Sequence, residues 1–125
     1  MRENLYNSYL KFDSTQQLAI GDRNITSGIK NISPIGNFQI KDQQLDDCWI
    51  LKSNQVKFET SKYKLIIRSS VENNFLQVYT PPKENVIAIE PTTGVSDSFN
   101  NKIGLQTLSP NESYEITWNL ETNNY

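Results

Sequence analysis

Apolar residues recur at every second position along much of this chain, and clusters of Asn, Gly, Pro and Ser separate the apolar runs. This alternation is typical of short strands that bury one face. Residues 55–60 (QVKFET) and 63–70 (YKLIIRSS) alternate in this way on either side of Ser61 and Lys62. Two alternating runs with a short polar connection predict a β-hairpin. The pattern as a whole predicts an all-β fold.

Further strands are predicted in the second half of the chain. Residues 75–80 (FLQVYT) and 86–90 (VIAIE) flank Pro81 and Pro82, which donate no backbone hydrogen bond and mark a connection. The VIAIE run is apolar enough to predict a central strand that is covered on both faces. A last strand, which should close the sheet, is predicted at 114–120 (YEITWNL). Its inward-facing residues are expected to be Tyr114, Ile116, Trp118 and Leu120.

Before residue 44 the apolar pattern is weaker. Polar residues dominate there, and only 18–20, 29–32 and 38–40 suggest short strands, so loops are expected to prevail. No helix longer than a turn or two is predicted. A chain of 125 residues suits one hydrophobic core. We therefore expect a single domain over residues 1–125, least constrained at residues 1–32, folded as an antiparallel β-sandwich of two packed sheets.

Charge and composition narrow the function classes. The chain has 12 basic and 14 acidic residues in mixed order, a balance that predicts neither a nucleic-acid nor a membrane partner. It contains no run of about 20 apolar residues, and residues 1–7 lack the apolar core of a signal peptide, so a cytoplasmic location is expected. With Cys48 as the single thiol and no histidine, no disulfide, metal or cofactor is expected. Acid–base chemistry would have to use carboxylates, tyrosine or lysine.

Glu90 is the first candidate for catalysis. It follows the apolar run 87–89 and precedes Pro91, which is expected to end the strand and leave the carboxylate at a rim. A partly desolvated carboxylate in such a position gains basicity, which suits a general base. The alternative interpretation is an ordinary polar strand end.

Several segments resemble the closing portion of the aldose 1-epimerase family in order and spacing. They are residues 76–81 (LQVYTP), 89–93 (IEPTT), 97–100 (DSFN) and 108–112 (LSPNE). Upstream, residues 32–36 (ISPIG) are similar to the proline-threonine-glycine turn of that family, and residues 45–51 (LDDCWIL) to its aspartate-bearing strand entry. The resemblance extends from residue 33 to residue 120.

This resemblance implies a galactose-mutarotase-like supersandwich more than twice as long as this chain, which would form its carboxyl-terminal half. In the family, the glutamate that matches Glu90 removes the proton of the anomeric hydroxyl, and an aspartate that matches Asp46 holds sugar hydroxyls. A histidine from the other half protonates the ring oxygen, the ring opens, and closure on the other face interconverts the α and β anomers. The expected ligand is a hexose such as galactose or glucose.

The same resemblance predicts negligible mutarotase activity for this chain alone, because both family histidines are missing. Loss of a positioned proton donor costs about 100- to 10,000-fold in rate. The alternative function is a non-catalytic carbohydrate-binding or protein-interaction β-sandwich module. Strand edges left exposed in half a sandwich also predict a homo-oligomer.

Other residues have two interpretations each. Trp49, next to the acidic pair, is a candidate for stacking on a sugar, with core packing as the alternative. Asp46 and Asp47 could instead form a turn or a solvated strand entry. Lys62, Lys64 and Arg68 could meet a phosphate, although solvated strand charges explain them as well.

Overall fold

Eight strands make up most of the computed structural model, which describes residues 5–72 and 74–125. They are β1 (Tyr9–Ile20), β2 (Thr26–Gln39), β3 (Asp46–Leu51), β4 (Gln55–Glu59), β5 (Tyr63–Ser69), β6 (Asn74–Tyr79), β7 (Ala88–Thr92) and β8 (Trp118–Asn124). One short helix, α1 (Ser98–Asn101), and the 3-10 turns Leu5–Asn7 and Asp22–Asn24 are the helical elements of the described residues. The predicted all-β class is confirmed.

All strands pair antiparallel in one curled sheet with the order β7-β6-β3-β1-β4-β5-β8, and β2 lies on the other edge of β1. Residues 9–11 of β1 pair with β4, whereas residues 16–17 pair with β3. β1 therefore carries two wings on one edge, β3-β6-β7 and β4-β5-β8. The stacking of two separate sheets stays a prediction.

A bend in β1 separates the two wings. The register between β1 and β2 shifts on both sides of Ser14. Because side chains alternate in a strand, such irregularities exchange the faces of the residues that follow. Leu10 and Phe12 face the main core, whereas Leu18 belongs to a second cluster with Cys48 and Phe75. The bend thus lets one strand contribute to both clusters.

The main core lies on the concave side of the curled sheet, between the wings. Its buried members are Leu10, Phe12, Ile40, Leu45, Trp49, Leu51, Val56, Phe58, Leu76 and Val78. Three aromatic rings meet there: Trp49 lies 5.2 Å from Phe12 and 5.7 Å from Phe38, measured between ring centroids. Apolar burial of this extent is the dominant stabilising contribution to such a fold.

The second cluster lies on the convex side, where Val95 and Ile103, from the segment between β7 and β8, cover Phe75 and Cys48. Burial, with a smaller contribution from the nearby carboxylate of Asp47, raises the pKa of the Cys48 thiol to about 12. The thiol is therefore protonated at neutral pH, which fits a small apolar core residue.

The prediction that loops prevail before residue 44 was wrong, because β1 and β2 occupy most of this segment. β1 and β2 are the two longest strands of the described residues, at 12 and 14 residues. The bend disrupts the period-two pattern in β1, and most β2 residues are exposed or only partly buried. A long strand at the sheet edge does not need the apolar alternation by which strands are recognised in a sequence.

Two carboxyl-terminal strands also differ from prediction. The VIAIE run is not a central strand, because β7 lies at the edge of the sheet and begins only at Ala88. Pro91 does not end the strand, since it pairs with Leu76, and an edge strand tolerates a residue without an N–H. The last strand begins at Trp118 rather than at residue 114 and lies at the opposite edge, where Leu120 is 69% exposed.

The predictions of the hairpin and of the strand at FLQVYT are confirmed. β4 and β5 form the expected hairpin, with Val56 opposite Ile67 and Phe58 opposite Leu65. The FLQVYT segment forms β6, and the proline pair lies in the connection that follows it. Within the described residues, no helix has the length and apolarity needed to cross a membrane.

Candidate functional site

Four side chains with polar groups share the convex face of the β3-β6-β7 wing. Gln77 of β6 lies opposite Glu90 of β7, and Tyr79 lies opposite Asp46 of β3. The Nε2 of Gln77 donates a hydrogen bond of 2.9 Å to the Oδ1 of Asp46. The amide therefore stands between the strands that carry the two carboxylates. We call the set Asp46, Gln77, Tyr79 and Glu90 the carboxylate surface.

The carboxylate surface lines an open depression of about 420 Å³, together with Ile20, Asn24 and Ser96. This volume is in the range of small-molecule sites. A depression of about 450 Å³ between residues 40–44 and 80–86 mixes lysines with carboxylates, and one of about 430 Å³ between the wings is lined mainly by apolar groups. The carboxylate surface combines two carboxylates, an amide and an aromatic ring in one place.

Both carboxylates are exposed, and they differ in hydrogen bonding, since Asp46 accepts from Gln77. Glu90 is exposed, and among the described residues it has no hydrogen-bond or ion-pair partner. The partial desolvation expected for Glu90 is therefore not seen, because an edge strand leaves its outward side chains open to solvent. Both residues can accept hydrogen bonds from ligand hydroxyls. The described residues contain no group of three or more His, Cys, Asp or Glu side chains suited to a metal ion.

A loop that follows β7 forms one rim of the depression. The hydroxyl of Ser96 accepts a 3.0 Å hydrogen bond from the backbone N–H of Thr26 and contacts the Thr26 hydroxyl at 2.7 Å. The Nδ2 of Asn101 donates to the carbonyl oxygen of Ser96 at 2.9 Å. The two contacts with Thr26 attach the loop to the start of β2, and the bond from Asn101 holds the loop to α1. The rim is therefore held by side chains.

Gly104 brings the end of this loop back against β6. Its φ of 76° lies in the left-handed region, which glycine adopts without strain. A Cβ at this position would lie 2.6 Å from the carbonyl oxygen of Thr93 and 2.7 Å from Cε2 of Phe75. The close approach of the backbone therefore requires glycine here.

The structure separates the three residues predicted for the site. Asp46 and Glu90 lie on the same face, but Trp49 lies on the opposite one, because its odd-numbered position on β3 alternates with Asp46. Trp49 is only 3% exposed and packs in the main core. This placement favours the alternative interpretation of Trp49, core packing, over stacking on a sugar. Asp47 also faces away from Asp46 and accepts a 3.0 Å hydrogen bond from Gln17.

Sequence reasoning missed Gln77 and Tyr79. The FLQVYT alternation contains the signal, because Leu76 and Val78 alternate with them and are fully buried. The basic residues of β5 do not join the site, since they lie in the other wing. The guanidinium of Arg68 there bonds the Oε2 of Glu121 at 3.1 Å, which agrees with a solvated strand charge.

No family model, no curated protein and no solved structure matches this chain. The arrangement of Asp46, Gln77, Tyr79 and Glu90 is therefore the main indication of function in this chain.

Proposed function

We propose that the carboxylate surface binds a hexose such as galactose or glucose. The observation that carries this proposal is the position of Asp46 and Glu90 on either side of Gln77, beside the ring of Tyr79, which is 40% exposed. Sugar hydroxyls donate to carboxylates and accept from amides. The apolar face of a pyranose packs on aromatic rings, which offer apolar area with a polar edge.

Each residue has a distinct role in the proposed complex. The hydrogen bond from Gln77 fixes one oxygen of Asp46 and leaves the other for a ligand hydroxyl. Glu90, which has no partner among the described residues, offers both carboxylate oxygens. Tyr79 takes the stacking role that Trp49 was expected to have. The resemblance to aldose 1-epimerases supports the assignment, because the two carboxylates it singles out share this face.

In the family reaction Glu90 would take the proton of the anomeric hydroxyl, whose oxygen becomes the carbonyl oxygen as the bond from the anomeric carbon to the ring oxygen breaks. The ring oxygen needs a proton from an acid on the other side of the sugar. The chain contains no histidine. The other groups around the depression are two amides, a phenol, a hydroxyl, an aliphatic side chain and a second carboxylate. The histidine that protonates the ring oxygen in the family therefore has no counterpart in this chain, and we propose that the chain alone acts as a binding module.

Titration with galactose and glucose, followed by amide NMR, tests the binding proposal. We expect shifts at the four residues of the carboxylate surface. Asp46→Asn and Glu90→Gln should each weaken binding by at least about tenfold, since a hydrogen bond to a charged group contributes roughly 1.5 to 3 kcal/mol.

Asp47→Asn is the matched control for this titration, because it removes the same charge from the neighbouring residue on the opposite face. Binding by this variant should stay close to that of the unchanged chain. Equal affinity in all three variants, or no shifts at high sugar concentration, would refute the assignment.

Polarimetry tests the catalytic part separately. When fresh α-glucose is mixed with the chain, its rotation should change at the spontaneous rate, because the histidine acid of the family reaction is missing. A clear acceleration that disappears in Glu90→Gln would show that the chain supplies its own proton donor and is more than a binding module.

A further inference from the structure

Three strand edges have no neighbour within the described part of the chain: the outer edges of β2, β7 and β8. An unpaired edge offers free N–H and C=O groups to another strand, and proteins usually protect such edges with proline, charge or irregular pairing. β7 contains Pro91, and β2 contains Pro34 next to a register shift. β8 has neither a proline nor a register shift over its seven residues, and its one charged side chain, Glu121, is paired with Arg68.

The backbone of β8 has a definite orientation. The carbonyl oxygen of Thr117 accepts from the N–H of Ser70, and the N–H of Tyr125 donates to the carbonyl oxygen of Lys62, so odd-numbered residues direct their polar groups toward β5. In an antiparallel pair this direction alternates along the strand. The N–H and C=O groups of the even-numbered residues between these positions therefore point outward from the sheet.

We propose that β8 pairs antiparallel with β8 of a second copy of this chain, around a two-fold axis at Leu120. In this register Leu120 lies opposite the partner's Leu120, and Trp118 lies opposite the partner's Thr122. By symmetry, Thr122 also lies opposite the partner's Trp118. The resulting three pairs would exchange about six backbone hydrogen bonds. The Leu120 side chain, 69% exposed in one copy, would be covered by its symmetry mate.

Electrostatic repulsion disfavours the adjacent register, in which the two-fold axis would lie at Glu121 instead of Leu120. An axis at Glu121 would place two carboxylates opposite each other, which is destabilising in a strand pair. With the axis at Leu120, Glu121 lies opposite the partner's Asn119. Asn119 pairs with Arg68 on β5 in each copy. The Glu121 carboxylate of each chain therefore lies one strand away from the Arg68 guanidinium of the other chain.

The proposed dimer extends the curled sheet without a break through both copies. Residues of β8 that share a face with Leu120 continue the concave side of β5, where Ile67 lies opposite Leu120. The interface is isologous, as expected for a two-fold dimer. It does not depend on the carboxylate surface, which lies in the other wing, so its test is independent of sugar binding.

Sedimentation equilibrium over the micromolar to millimolar range tests the dimer. We expect a monomer–dimer equilibrium, weakened at least about tenfold by Leu120→Lys, which places two ammonium groups across the axis. Ile29→Lys is the matched control, because Ile29 is 47% exposed on the β2 edge and its replacement should leave the equilibrium unchanged. A strictly monomeric chain, or a dimer that dissociates with Ile29→Lys and not with Leu120→Lys, would overturn the proposal.

Cysteine cross-linking tests the register. Directly opposite residues in a hydrogen-bonded pair are about 5.5 Å apart between Cα atoms, within the range of a disulfide. Leu120→Cys should therefore form a covalent dimer on oxidation. In Thr122→Cys the two thiols are offset by four residues, roughly 13 Å along the strand, and should stay unlinked. Linkage of Thr122→Cys without linkage of Leu120→Cys would refute this register.

Discussion

Replacement of Trp49 by alanine should lower the free energy of unfolding by about 3 to 5 kcal/mol, the usual cost of truncating a buried aromatic residue. The ring contacts Phe12 and Phe38 at the centre of the main core, between the two wings. Its loss leaves a cavity that the surrounding strands cannot fill without moving. Urea unfolding monitored by circular dichroism measures this change. The expected loss is a large fraction of the total free energy of unfolding, which is typically about 5 to 15 kcal/mol for a domain.

Phe99→Ala is the control for this experiment. Phe99 is 81% exposed, so the same kind of truncation removes little buried area. Its effect should stay within about 0.5 kcal/mol. If Trp49→Ala lowered the free energy of unfolding as little as Phe99→Ala, the core position of Trp49 would be wrong. The stacking role at the surface would then have to be considered again.

Gly104→Ala should destabilise the protein by about 2 to 5 kcal/mol. A left-handed conformation costs a non-glycine residue about 1 to 2 kcal/mol, and overpacking adds about 1 to 3 kcal/mol. The new methyl group would overlap the carbonyl oxygen of Thr93, which is backbone and cannot move aside by rotating a side chain. Because Thr93 precedes the rim loop, sugar affinity should fall together with stability.

Gly36→Ala provides the comparison. Gly36 lies on β2 with nothing within 4 Å of an added Cβ, so the substitution should be neutral or slightly stabilising through the unfolded chain. Thermal unfolding of both variants separates the loss of glycine flexibility from the steric overlap. Similar melting temperatures for the two variants would contradict the tight packing described at Gly104.

The sequence predicted the parts of the sheet in which alternation is regular. Polar and apolar residues alternate in β4, and Tyr63, Leu65 and Ile67 keep this spacing in β5 although Ile66 is also apolar. The turn between the two strands is short, so the hairpin followed directly. The convex position of Glu90 relative to Ile89 also follows from alternation, as does the separation of Asp46 from Asp47. The same rule, applied to Asp46 and Trp49, excludes a shared face for the two residues.

Other features depend on contacts that a local pattern does not contain. The register shifts beside Ser14 hide the continuity of β1, and they exist because one strand serves both wings. The edge positions of β7 and β8 follow from the pairing order of the whole sheet, since an apolar run fits an edge strand as well as a central one. Leu120 was expected to face inward. It does lie on the concave side, but its side chain is 69% exposed because β8 is at the edge of the sheet.

The bend in β1 has a consequence for the variation that this fold can accept. Substitutions on the exposed face of the strand change little, whereas loss or gain of a single residue between the bend and Leu18 would exchange the side chains presented to the two clusters. Gln17 would then turn toward Cys48, and Leu18 toward the concave core. Related sequences should therefore keep the length of this segment even where its residues differ, and length variation should be concentrated in the loops.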